Sequence, residues 1–143
     1  MEFENIETIT LLGAGSMGHG IAEVAALAGY EVRLRDIKTE FVENGYEQLV
    51  WSLDKLAEKD QISEEEADAA ADRVTPLVDV KEAVDDTDVV IEAVPEKMEI
   101  KKDVYSEVET YAPDRTIFAT NTSSLSITDL SEVTDRPEQF CGM

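Results

Sequence analysis

Cysteine is almost missing from this chain. Cys141 is the only one, which excludes an internal disulfide framework and a cysteine-rich zinc site. Positive charge is scarce as well: 12 Lys and Arg stand against 33 Asp and Glu, a formal net charge of −21 over 143 residues. That balance argues against nucleic acid, whose phosphates need a basic footprint. It argues equally against electrostatic docking on an anionic membrane. Long apolar runs are absent: stretches such as Val24 to Ala28 and Val89 to Ile91 fall far short of a spanning helix. The opening Met-Glu-Phe-Glu-Asn is acidic and lacks the basic start of a secretory signal. These absences lead to the expectation of a soluble protein in a reducing compartment, the cytoplasm.

With 43% hydrophobic residues the chain can bury a real core. There is no repeat, low-complexity tract or Gly/Ser/Pro linker, so a single domain is expected over residues 1–143. The carboxylates are spread along the chain, with one dense patch from Asp60 to Asp72. A dispersed excess of one sign destabilises a compact state by self-repulsion. About 1 M salt, with a Debye length of about 3 Å, screens that repulsion. The expectation is a surface adapted to high salt.

The hydrophobic patterning alternates between strand and helix. Ile6 to Leu12 is β-branched and apolar and reads as a buried strand. Glycines follow, then a helix over Met17 to Ala28 with Ile21, Val24, Ala25 and Ala28 on one face and Gly29 as its C-terminal stop. Glu31 to Arg35 alternates as a second strand. Thr39 to Lys59 is helical, with Leu49, Leu53 and Leu56 as its stripe, and Ser63 with Glu66 forms a capping box for another helix. These two helices read as a hairpin inserted after the second strand. Val74 to Val78, Asp88 to Val94 and Thr116 to Thr120 are further strands, and Phe140 with Cys141 begins one more. Between them lie a turn or two of helix at Val80 to Val84, a helix opened by Pro95 and running to Tyr111, and a short helix from Ser126 to Val133 capped by Ser126. This alternation predicts an α/β fold, a parallel sheet covered on both faces.

Gly13-Ala14-Gly15-Ser16-Met17-Gly18 fits G-x-G-x-x-G, and it sits between a predicted strand and a predicted helix. Gly13 would permit the tight turn, Gly15 the approach of backbone amides to a pyrophosphate, and Gly18 close packing of helix on strand. Asp36 ends the second strand, where a carboxylate accepts hydrogen bonds from the adenosine ribose and repels a 2′-phosphate, so NAD is favoured over NADP. Arg33 and Arg35 share a face and read as solvent-facing charges on an outer strand. His19 reads as a surface histidine beside the pyrophosphate position, and Cys141 as a small buried hydrophobe.

Ligands of open α/β sheets gather beyond the carboxyl ends of the strands. Here two such ends are polar: Glu92 to Glu96 and Asn121 to Ser124. Together, GAGSMGHGIA, VVIEAVPEKMEIKKDVY, IFATNTSSLSIT and RPEQFCGM resemble the NAD-binding domain of the L-3-hydroxyacyl-CoA dehydrogenase family, in the style of 3-hydroxybutyryl-CoA dehydrogenases. NTSSLSIT is the most specific part. The resemblance implies a Rossmann-type doubly wound, mostly parallel sheet. It also implies NAD-linked interconversion of L-3-hydroxyacyl-CoA and 3-oxoacyl-CoA, as in fatty-acid β-oxidation. By position, Gly13, Gly15, Ser16, Met17, Gly18, Asp36, Glu96 and Lys101 match the family's cofactor residues. Ser123 matches the polar residue that contacts the substrate oxygen, and Ser52 and Lys59 fall where the family contacts coenzyme A.

The family's catalytic base is a histidine in a His-Phe-Phe-Asn-Pro segment that follows a Gly-x dipeptide, here Gly142-Met143. That histidine, and the helical C-terminal domain through which the family forms homodimers, are not among these residues, so the chain alone is expected to be inactive. A stand-alone dinucleotide-binding module or sensor is the alternative reading.

Overall fold

The computed structural model describes residues 5–122 and 125–143. A six-stranded sheet, every pair parallel, runs in the order β3-β2-β1-β4-β5-β6. Its strands are β1 (Thr8–Leu12), β2 (Glu31–Arg35), β3 (Val74–Leu77), β4 (Val89–Glu92), β5 (Ile117–Thr120) and β6 (Phe140–Gly142). The helices are α1 (Ser16–Leu27), α2 (Thr39–Glu58), α3 (Glu64–Asp72), α4 (Val80–Val84), α5 (Met98–Tyr111) and α6 (Ile127–Ser131). The chain therefore winds outward from β1 in both directions, the doubly wound α/β arrangement that the sequence predicts.

Strand alternation sorts the core into two layers. Ile9, Leu11, Val32, Leu34 and Val74 face α1 and the α2–α3 hairpin, whereas Leu12, Val90 and Phe118 face α4 and α5. The capping box at Ser63 is present: its side chain accepts from the Glu66 N–H, and the Glu66 carboxylate accepts from the Ser63 N–H. Gly29, just past α1, takes φ of +102° and stops the helix without the steric cost a side chain would bring. Ser126 caps α6 through the Asp129 N–H.

Several expectations are corrected. The buried face of α1 is Gly18, Ala22, Ala25 and Ala26, and Val24 is exposed. Small residues let α1 lie close on the sheet, so its apolar stripe is narrow and Val24 falls outside it. Helix α5 starts at Met98, not Pro95, because Val94 and Glu96 are drawn into side-chain bonds with Glu92, Lys101 and Thr122. Arg33 and Arg35 are not outer-strand charges, since β3 pairs beyond β2. Arg33 Nη1 donates to the Asp85 carbonyl, and Arg35 is buried. Cys141 is exposed on the edge strand β6. Among the described residues no helix is long and apolar enough to cross a membrane.

Candidate dinucleotide site

The sheet order reverses at β1, between β2 and β4, so a crevice opens above the carboxyl ends of these strands. The ladder carries on just past the strand ends: Gly13 N donates to Arg35 O, Ala93 N to Leu12 O, and Asn121 N to Glu92 O, each at 2.8 Å. These bonds fix where the three loops leave the sheet.

Each glycine of the turn answers a different steric demand. Gly13 has φ of +104°, and a Cβ there would meet the Ala93 carbonyl oxygen at 2.5 Å. A Cβ on Gly18 would lie 1.7 Å from the Gly13 carbonyl oxygen, so only glycine lets the helix start this close to the strand. A Cβ on Gly15 would meet nothing within 4 Å; the space above it is open. Gly15 is also the N-cap of α1 and brings no side chain to that end. The N–H groups of the first turn, at Ser16, Met17 and Gly18, have no acceptor within the helix, and with the helix dipole they form a site for an anion. Gly45 of α2 was not singled out by the sequence, yet a Cβ on it would strike the Ala14 carbonyl oxygen at 2.5 Å. The inserted hairpin thus packs directly on the glycine turn.

Asp36 lies just beyond β2. Its Oδ2 accepts from Ala14 N at 2.9 Å and its Oδ1 from Ile37 N at 2.7 Å, so the carboxylate is held against the glycine turn. A cleft of about 490 Å³ runs from Gly15 and Asp36 past Ile37 and Phe41 to Val94 and Ile100. Its volume and mostly apolar wall, with an anion site at one end, suit an elongated ligand with an aromatic base. His19 sits in the first turn of α1, with Nδ1 3.4 Å from Ala14 O.

A second cluster ties the ends of β4 and β5 together. Glu92 is fully buried, and its carboxylate meets Lys101 Nζ at 2.5 Å, Thr120 Oγ1 at 2.6 Å and Val94 N at 2.9 Å. Lys101 also donates to Val94 O at 3.3 Å and lies 3.6 Å from Glu96 Oε1. Glu96 in turn accepts from Thr122 Oγ1 at 2.6 Å, so the two loops are joined across the crevice. Lys101 is itself fully buried and reaches the loops through Glu96 and Val94. Beneath this cluster the Tyr105 hydroxyl is buried, and burial, together with the Glu92 charge, pushes its ionisation upward.

Ser52 and Lys59 do not line the cleft. Ser52 Oγ donates to Glu23 Oε1 at 2.9 Å, and Lys59 is exposed at the end of α2. Ser123 lies outside the described residues.

Comparison with known proteins agrees with this geometry. Residues 8–143 match the family model of the 3-hydroxyacyl-CoA dehydrogenase NAD-binding domain. The chain belongs to this family. It is 40% identical over 138 residues to a probable 3-hydroxybutyryl-CoA dehydrogenase of Bacillus subtilis, covering 96% of this chain and 48% of that protein. It is 38% identical over 140 residues to a fatty acid oxidation complex subunit alpha of Idiomarina loihiensis, covering 98% of this chain and 19% of the relative. Among solved structures, an (S)-3-hydroxybutyryl-CoA dehydrogenase from Ralstonia eutropha superposes with a TM-score of 0.93 at 35% identity, over 97% of this chain and 49% of that one. The chain thus spans about half the length of the Bacillus relative and about a fifth of the Idiomarina one. Its 3-hydroxyacyl-CoA dehydrogenase domain is the cofactor-binding part, and NAD is the cofactor of that domain.

Proposed function

We propose that this domain binds NAD across the crevice, with the pyrophosphate on the Gly13–Gly18 turn and the adenosine ribose on Asp36. The carrying observation is the open first turn of α1, capped by a glycine above which there is free space. Ser16 and Met17 border the same turn, and Glu96, positioned by Lys101 and Thr122, stands on the nicotinamide side. Bound NAD supplies a hydride acceptor. The chain's own residues hold and orient it, and the Asp36 charge disfavours a 2′-phosphate.

In the whole protein the domain serves the interconversion of L-3-hydroxyacyl-CoA and 3-oxoacyl-CoA, with Ser123 on the substrate oxygen and Ser52 and Lys59 toward coenzyme A. These three residues are proposed from the family pattern. The whole protein acts as a cytoplasmic homodimer, paired through its helical C-terminal domain, and binds neither nucleic acid nor membrane. Oxidation of the hydroxyl needs a general base. His19 is the chain's one histidine, and its place in the first turn of α1 suits the pyrophosphate end and not the hydride-transfer end. These 143 residues alone therefore bind the cofactor without appreciable turnover. Assay with acetoacetyl-CoA and NADH tests this: no oxidation of NADH is expected, and turnover at ordinary enzyme rates would overturn it.

The protein also works in high salt. The acidic residues between Asp60 and Asp72 are all exposed, and among the described residues ion pairs engage only Glu58, Asp86, Asp88, Glu92, Glu96 and Glu109. Most carboxylates thus repel one another unless salt screens them.

A further inference from the structure

Arg35 is the unusual cation of this chain. It is 9% exposed and lines the cleft beside Asp36, yet among the described residues it takes part in no ion pair. Its Nε donates to the Val78 carbonyl at 2.8 Å, and its remaining N–H groups have no acceptor among the described residues. Arg136, the other buried arginine, is different: it pairs with Glu109 at 3.0 Å and donates to the carbonyls of Pro113 and Thr116. The unbonded Arg35 nitrogens are not sealed from solvent, so they stand open to a ligand in the cleft.

Strand geometry shows where Arg35 acts. It alternates with Leu34, whose side chain joins the α1–α2 core, so Arg35 projects to the α4–α5 face, toward Val78. On that side the cleft is walled by Val94 from the loop after β4 and by Ile100 and Val104 from α5, with Ile37 and Phe41 at its mouth. The result is an apolar slot with one unpaired cation at its edge. An aromatic base with ring-nitrogen acceptors fits this chemistry: guanidinium groups stack on π faces and donate to such lone pairs. A phosphate fits poorly, because the Asp36 carboxylate stands at the adjoining position.

We infer that Arg35 is a specificity-determining residue for the adenine base, holding the adenosine half of the dinucleotide from the β2 side. This rests on the NAD reading above and deepens it.

The test is titration of the chain and its Arg35→Met, Arg35→Gln and Arg35→Lys variants with NADH, ADP-ribose, NMNH and NADPH, with a thermal melt of each. In Arg35→Met and Arg35→Gln, NADH and ADP-ribose should weaken together by about tenfold, and NMNH affinity should stay unchanged. Arg35→Gln keeps a donor for Val78 O, so it separates lost recognition from lost folding. Arg35→Lys should recover part of the adenosine affinity. Unchanged ADP-ribose affinity in a folded Arg35→Gln chain would overturn the inference, as would a loss confined to NADPH, which would make Arg35 a phosphate ligand. If the unaltered folded chain binds none of the four compounds, the NAD reading itself fails and this inference falls with it.

Discussion

The glycines of the turn separate two properties that are usually lost together. A Cβ on Gly18 has no room beside the Gly13 carbonyl, so Gly18→Ala must displace α1 from the strand. We expect a melting temperature lower by several degrees and no measurable NADH binding. Gly15→Ala meets no atom of the protein, so its melting temperature should stay within a degree or two. Its methyl group would occupy ligand space, and NADH affinity should fall at least tenfold. If Gly15→Ala binds NADH normally, the pyrophosphate does not lie over this turn. Asp36 acts through both carboxylate oxygens, and Asp36→Ser should narrow the preference for NADH over NADPH, as measured by the ratio of the two Kd values. This part of the site is legible in the sequence because glycine and carboxylate act within a few residues of the turn. Arg35 is not. Its burial depends on β3 pairing outside β2 and on the Val78 carbonyl, contacts that no local pattern encodes.

Among the elements, the junction of β4, β5 and α5 depends on one buried ion pair. Removing one partner strands the other charge, so Lys101→Met should cost roughly 3–5 kcal/mol by denaturant unfolding, and adding Glu92→Gln should recover part of that loss. A loss below about 1 kcal/mol in Lys101→Met would mean that water already reaches the pair. The pair also explains why α5 begins late. Val94 N is bound by the Glu92 side chain and Val94 O by Lys101, which keeps this segment out of the helix that Pro95 alone would open. Strand and helix existence was legible from periodicity and caps, whereas this boundary depended on a contact nine residues apart in sequence. A second junction sits at the opposite, amino-terminal ends of the central strands. Burial would raise the Asp88 carboxyl, but the N–H groups of Glu7 and Thr8 and the Arg115 guanidinium outweigh it and hold it below the usual carboxylate range. Its stabilisation is therefore present above the unfolded-state value of about 3.9 and is lost as pH falls through the lower folded value. Asp88→Asn should lower stability at neutral pH by about 1–3 kcal/mol, and the difference from the unaltered chain should shrink in acid. A difference that does not change with pH would show that the charge is not what stabilises.

For the molecule as a whole, acidity and cofactor binding are linked. A chain of net charge −21 that binds a dianionic dinucleotide has few cations to offer, and it relies on backbone N–H groups and a helix terminus that carry no formal charge. Raising KCl from about 0.1 M to about 2 M shortens the screening length severalfold, and the melting temperature should rise. A flat or falling melting temperature would set aside the high-salt reading while leaving the fold and the site intact. Composition made this charge legible, but not which carboxylates are paired, since pairs such as Arg136 with Glu109 and Arg115 with Asp88 join distant segments. The most direct test of the account is an NADH titration of the folded chain in about 2 M KCl, read by cofactor fluorescence. Saturable binding at one site per chain, lost in Gly18→Ala and weakened in a Gly15→Ala chain of unchanged melting temperature, is the predicted result. A folded chain that shows no saturable binding, or binding indifferent to both glycines, would contradict it.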